Sequence, residues 1–428
     1  MRAHWIVIII VLLREFFWLL PDNFLVVRDI VRVSDAGMLL MIFVIVCEIG
    51  RNPDKIKYLN SSFTPVIAGF VILSLFNVLV SNLNYEESLA LGFRWIRSNF
   101  FYLFYYVVIL LVDTPEKLGR LVKWLMVLCL ILVGFTVAQY AMPGMTIFHN
   151  PDNDWIFEKR FGLFRLINPG LDMVMLCFFI VIARFIQTGA SCRIPCIVTG
   201  TVFSLQILLS QTRAYLLSLP LALMVSLAVT GKIRWLIVTA WCLAIVVGVS
   251  QMSELLTGQK YENLLTRLLE SSVTETVKKQ GDVGIRYQTA RVFWKYAMEH
   301  PITGTGAISP QGTVARRLNY PFLRTDLGYV IMFSQYGLLG IAWLIWLSAV
   351  YFRKVGLVYR RIADPELKAL LFALFTHYLF MVISFVTLPH FILSIMIVTV
   401  ALNIGMLEVI HRLNTESGHR EELLHVHP

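Results

Sequence analysis

Residues 330–352 read VIMFSQYGLLGIAWLIWLSAVYF, twenty-three positions without a charged side chain. About 20 apolar residues at a helical rise of about 1.5 Å cross the hydrocarbon core of a bilayer, so this stretch is expected to span a membrane. Runs of similar character lie near 4–20, 34–50, 65–81, 98–112, 121–141, 169–187, 194–210, 214–230, 234–250, 366–384 and 390–408. With 326–352 as the tenth, they predict an all-α polytopic membrane protein of about twelve transmembrane helices. The first run contains Arg14 and Glu15 and has no small-residue cleavage site, which marks it as a retained span rather than a signal peptide. The only long polar segment is 251–325, and a connection that long is usually functional. The chain thus divides into spans one to nine (1–250), a large loop (251–325), spans ten to twelve (326–410) and a tail (411–428).

Composition agrees. Of 428 residues, 57% are hydrophobic and 15% charged, with a mean hydropathy of +0.71. A soluble domain carries roughly 25% charge, so a soluble fold is excluded. The six cysteines sit in or beside apolar runs, without the spacing of a disulfide framework or a zinc site. The net charge of +10 comes from 37 Lys+Arg against 27 Asp+Glu, and 25 of the 37 are arginine.

The basic residues sort by side. Lys55, Lys57, Lys117, Lys123, Lys232, Lys354 and Lys368 fall in loops on one side, and only Lys159 falls in a short loop on the other. The positive-inside rule then places both termini in the cytoplasm and 251–325 outside. Arginine does not follow. Arg28, Arg32, Arg94, Arg97, Arg160, Arg165 and Arg213 all lie in short outer loops.

Four outer segments concentrate the candidates. EKRFGLFRLINPG at 158–170 places Arg160 and Arg165 before Pro169 and Gly170, turn residues at the start of a helix, where anions are favoured. SQTRA at 210–214 puts Arg213 at the membrane boundary, where an ionisable residue is costly and marks a functional site by default. GIRYQTARVFWKYAMEHPITGTG at 284–306 has apolar or aromatic residues at 287, 290, 293, 294 and 297 in helical spacing, ended by His300 and Pro301. That spacing sets Arg286 in the first turn with Tyr287 and Arg291 following. A cation there gains nothing from the helix dipole, whereas an anionic ligand would explain it. For Lys295 a solvated helix face is the simpler account. Lastly, Arg316, Arg317, Arg324 and Asp326 precede the tenth span. Leucines at 255, 256, 264, 265, 268 and 269 predict an amphipathic helix earlier in the loop. Guanidinium forks suit bidentate phosphate binding, so the expected ligand is a phosphate or pyrophosphate on a lipid at the outer leaflet. The expected partners are that lipid and the bilayer, with no nucleic acid.

Three of these segments resemble the O-antigen ligase/O-antigen polymerase (Wzy-like) membrane glycosyltransferases: RFGLF at 160–164 with NPG at 168–170, SQTRA at 210–214, and Arg286 to GTG at 304–306 running into DLGY at 326–329 and YGLLG at 336–340. The resemblance implies a GT-C-like architecture in the bacterial inner membrane. It also implies transfer of glycan from an undecaprenyl-pyrophosphate donor to an acceptor hydroxyl on the periplasmic side, without a metal ion or other cofactor. Carried over by position, Arg160, Arg213 and Arg286 are the pyrophosphate-binding and catalytic candidates. Arg165, Arg291, Arg324 and Tyr287 are further substrate contacts. Ligases have a histidine before the tenth span, where this chain has YPFLRTD at 320–326; that difference favours a polymerase, which a chain-length regulator protein could assist. Pyrophosphate is a good leaving group, so arginines that meet its growing charge suffice on that side. Base candidates for the hydroxyl are Asp326, placed first for its position at the membrane mouth, then His300, Glu158, His149, Asp152 and Asp154. A ligase and a transporter or flippase of lipid-linked glycan are the alternatives. The transporter would be favoured by ionisable groups midway along several spans, yet Arg14, Glu15 and Glu48 lie near span ends and His377 is expected to be a satisfied packing histidine.

Overall fold

A computed structural model describes residues 3–21, 24, 26–27, 31–142, 146–149, 157–160, 163–166, 170–187, 193–210, 212–232, 235, 281–318, 327–392 and 394–426. The helices are α1 (Ala3–Leu13), α2 (Val33–Arg51), α3 (Thr64–Tyr85), α4 (Leu89–Ile96), α5 (Phe104–Leu111), α6 (Pro115–Ala141), α7 (Leu171–Gln187), α8 (Arg193–Leu209), α9 (Arg213–Val229), α10 (Gly281–Glu299), α11 (Thr313–Arg317), α12 (Gly328–Arg361), α13 (Pro365–Ser384) and α14 (Ser394–Val426). The protein is all-α and polytopic. Among the described residues, six helices are long and apolar enough to cross a membrane: Val33–Arg51, Thr64–Tyr85, Pro115–Ala141, Gly328–Arg361, Pro365–Ser384 and Ile395–Glu416. The runs at 4–20, 194–210 and 214–230 form shorter apolar helices. The run at 234–250 lies outside the described residues apart from Trp235, as does 251–280 with the expected amphipathic helix.

The differences from expectation have local causes. Glu15, Phe16, Phe17 and Trp18 all have positive φ, so the first run leaves the right-handed helix after Leu13 and turns left-handed. The fourth run starts as a 3-10 helix, Arg97–Leu103, and becomes α-helical only at α5. The twelfth begins four residues late, because Pro389 and His390 lie in a turn between α13 and α14. Two short antiparallel ribbons also occur, Val26–Val27 (β1) with Val31–Arg32 (β2) and Phe157–Arg160 (β3) with Leu163–Leu166 (β4).

Helix α13 is the centre of the bundle, packing against α7, α9, α12 and α14. Polar contacts define two ends. At one, Lys55 bonds Glu48, Asp113 and the Leu110 carbonyl at 2.9, 2.9 and 2.7 Å. Lys354 pairs with Glu408, and Arg412 donates to the Ile109 and Val112 carbonyls. At the other end, Arg97 pairs with Asp35 at 2.8 Å, and Arg14 forks onto Asp172 at 2.7 and 2.5 Å. Lys55 and Lys354 thus lie at the end opposite Arg97 and Arg14.

Arg14 is 0% and Asp172 2% exposed. The Thr399 hydroxyl donates to Asp172 at 2.6 Å. His377 contacts the Asp172 carbonyl through Nε2 at 3.2 Å and accepts from Asn403 at Nδ1 at 3.0 Å, while Tyr351 donates to Asn403 at 2.8 Å. His377 is therefore satisfied, but as one member of a buried network. Arg14 directly follows the last residue of α1, near a span end as expected, and is fully buried there. Removing one partner of a buried ion pair strands the other charge, at about 3–5 kcal/mol. Asp172→Ala is expected to lower the thermal midpoint of the purified protein by a corresponding amount, and Arg14→Met with Asp172→Leu to recover most of it. A wild-type midpoint for the single variant would refute this account.

Candidate functional site

Helix α12 is interrupted where the YGLLG segment lies: Gly337 has φ 61° and ψ −155°. Such a break frees the Ser334 and Gln335 carbonyls and the Leu338 and Leu339 N–H groups, which would otherwise bond each other four residues apart. Residues 301–307 satisfy all four groups. Thr305 N–H donates to Ser334 O at 2.8 Å and Gly306 N–H to Gln335 O at 3.1 Å, while Leu338 N–H donates to Pro301 O at 2.8 Å and Leu339 N–H to Ile302 O at 3.2 Å. The α3 side joins through Ala307 N–H to Asn77 O (3.0 Å) and Asn77 Nδ2 to Gln335 O (3.0 Å). The main chains come so close that a Cβ on Gly304, at φ +71°, would lie 2.5 Å from Gln335 C, and one on Gly337 would collide with Ile302 O. This contact explains Gly304 and Gly337, while a Cβ on Gly306 would meet Asn77 O of α3 at 2.5 Å.

The clamp holds α10, which ends at Glu299 immediately before it, as His300 and Pro301 foretell. Phe293 packs with Ile331, Trp294 lies 5.3 Å from Phe333, and the Tyr296 hydroxyl donates to Leu318 O. Because α10 reaches back to Gly281, Arg286 stands in its second turn, not its first. Arg286 is half-buried, whereas Tyr287, Arg291 and Lys295 are exposed. His300 meets the Tyr85 ring edge-on at 5.7 Å. Beside it, Arg317 donates to Tyr85 O at 2.8 Å. Glu87 is buried against the loop that follows the clamp, and burial pushes its carboxyl above the usual range against the pull of the Ser309 and Ser88 N–H groups.

Arg213 is the first residue of α9. Ahead of it Ser210 and Thr212 form a small turn, Thr212 N–H reaching Ser210 Oγ at 3.4 Å and the Thr212 hydroxyl reaching Ser210 O at 3.3 Å. Tyr215, in the same turn of α9 as Arg213, packs on Phe380 at 5.0 Å and His390 at 6.1 Å. Ile392, two residues after His390, packs with Phe293 and Ile331. The corner at 385–392 therefore joins the helix that begins with Arg213 to the helix that carries Arg286.

The remaining candidates are placed less closely. In the β3–β4 ribbon Arg160 opposes Leu163 and Arg165 opposes Glu158; β4 lies against α8, which leads into the Arg213 turn. Asp326 and Arg324 lie outside the described residues, as do Asp152 and Asp154. The α7 N-terminus, expected to favour an external anion, already carries Asp172, bound to Arg14. Sequence reasoning did not single out Asp172, His390 or Glu87. An acidic residue at the start of an apolar run was the one available signal for Asp172. Among the described residues, no three His, Cys, Asp or Glu side chains cluster so as to hold a metal ion.

The long apolar helices, with a broken span and a loop docked into the break, define a multi-pass membrane protein. Residues 198–345 match the family described as O-antigen ligase, whose members are membrane glycosyltransferase-like enzymes, and the match supports the family that the motifs resemble. The matched stretch takes in Arg213, α10, the clamp and the break at Gly337, while the ribbon with Arg160 lies upstream of it. No curated protein matches the chain.

Gly304→Ala would place a Cβ at positive φ into the Gln335 main chain, which costs about 2–5 kcal/mol in strain and overlap. The expected result is a lowered thermal midpoint together with loss of activity. An unchanged midpoint would show that the clamp does not hold the loop.

Proposed function

We propose that the protein is a polymerase of O-antigen or a related polysaccharide. It joins glycan from an undecaprenyl-pyrophosphate donor to a hydroxyl of a lipid-linked acceptor glycan at the periplasmic face of the inner membrane, with both termini cytoplasmic. The observation that carries this reading is the convergence of the Arg213 and Arg286 helices on one corner, at the end of the bundle away from Lys55 and its partners.

In the reaction the acceptor oxygen attacks the anomeric carbon. The bond from that carbon to the pyrophosphate oxygen breaks, undecaprenyl pyrophosphate leaves, and a base takes the hydroxyl proton. Arg213 and Arg286 meet the charge that grows on the leaving oxygens, an interaction stronger in the transition state than in the bound donor. Asp326 is the proposed base. Arg160, Arg165, Arg291, Arg324 and Tyr287 bind the pyrophosphate and the adjoining sugars, and a chain-length regulator is the proposed protein partner. The arginines supply the stabilisation, so no metal is needed: chelation with EDTA is expected to leave the rate unchanged, and a loss restored by magnesium would refute that part.

The family description favours a second reading, a ligase to lipid A–core or another terminal acceptor. Transport is less well supported, since the buried charges of Arg14 and Asp172 bind each other. Arg213→Ala and Arg286→Ala are expected to leave the protein in the membrane while cells display single repeat units instead of polymer. Wild-type chain lengths in both variants would overturn the assignment, and a deletion that also removes single-unit attachment would select the ligase.

A further inference from the structure

We propose that His390 is a positioning residue for Arg213, a role that rests on the function proposed above. Arg213 stands at the first position of α9, and the first turn of a helix has free N–H groups and frays unless held. The Thr212 side chain does not cap it. What holds it is Tyr215, 2% exposed, whose ring lies nearly parallel to that of His390, with 15° between the planes and 6.1 Å between centroids.

The His390 ring is itself fixed. The Ser384 hydroxyl donates to Phe380 O at 2.7 Å, so its oxygen accepts from His390 Nε2, also at 2.7 Å. The proton is thereby assigned to Nε2, and the bare Nδ1 is buried with no hydrogen-bond partner among the described residues. A phenylalanine would stack on Tyr215 equally well and leave no orphaned nitrogen. The histidine therefore serves to pin the ring to α13 in one orientation, and space filling does not account for it. Through Tyr215 that orientation passes to the first turn of α9. Ile392 ties the same corner to the Phe293 and Ile331 contact beneath α10, so the corner sets both arginine helices from one support.

The test measures kcat and KM for elongation of a defined undecaprenyl-pyrophosphate oligosaccharide by the purified full-length protein. Wild type, His390→Phe, Arg213→Lys and the double variant are compared. His390→Phe keeps the stack and loses the Ser384 bond. The expected loss in kcat is about tenfold or more in the wild-type background and about twofold or less beside Arg213→Lys, because residues acting through one another are not additive. KM and the thermal midpoint are expected to change little. If the two losses multiply, or if His390→Phe lowers only the midpoint, the positioning role is wrong. Should His390→Phe fail to reach the membrane, Tyr215→Leu tests the same contact from the other side, with the same dependence on Arg213 expected. Wild-type elongation by Arg213→Ala would overturn both the proposed function and this role. Loss in Arg213→Ala with multiplying losses overturns only the role of His390.

Discussion

The four main-chain hydrogen bonds that the 301–307 loop makes on either side of Gly337 are the constraint on which the arginine end depends. In a bilayer an unsatisfied N–H or C=O costs several kcal/mol, so a helix can break at membrane depth only where protein supplies replacements. Residues 301–307 supply them, which obliges the loop to enter the bundle beside α3 and α12. Once it is there, the end of α10 is fixed, and the Phe293 and Trp294 rings settle onto α12. The positions that matter are therefore spread over residue 77, residues 301–307 and residues 334–339, far apart in the chain and continuous in space.

The two ends of the bundle use charge differently. At the lysine end Glu48, Asp113 and Glu408 meet Lys55, Lys117 and Lys354. At the other end some arginines are also structural: Arg14 is bound to Asp172, Arg97 to Asp35, and Arg317 to a carbonyl. Part of the arginine excess that pointed to an anionic ligand is thus committed to holding helices together. The ligand argument narrows to the residues of the Arg213 turn, α10 and the ribbon.

Much of the architecture was legible in the sequence because membrane helices declare themselves by length and apolarity. Helix α10 and its end at His300 and Pro301 were legible for the same reason, since periodicity and proline act locally. Gly304 and Gly337 could be recognised as parts of motifs but not explained, because the reason lies in the contact of their two segments across about 30 residues of chain. Arg14 and Asp172 are separated by 158 positions, and no periodicity links them. His390 looked like the first residue of a span; only the turn before α14 gives it a different neighbourhood. For the site, the arginines were nameable one at a time, and the corner that relates Arg213 to Arg286 had no local signature.

Because the joint between the loop and the broken helix is written in main-chain atoms, it is nearly indifferent to the side chains that flank it. Substitutions can therefore redecorate the surrounding surface while the geometry of the joint is retained. A scaffold of this kind separates the inheritance of shape from the drift of specificity, with the glycines at the contact and Asn77, whose amide bonds Gln335 O, exempt from change.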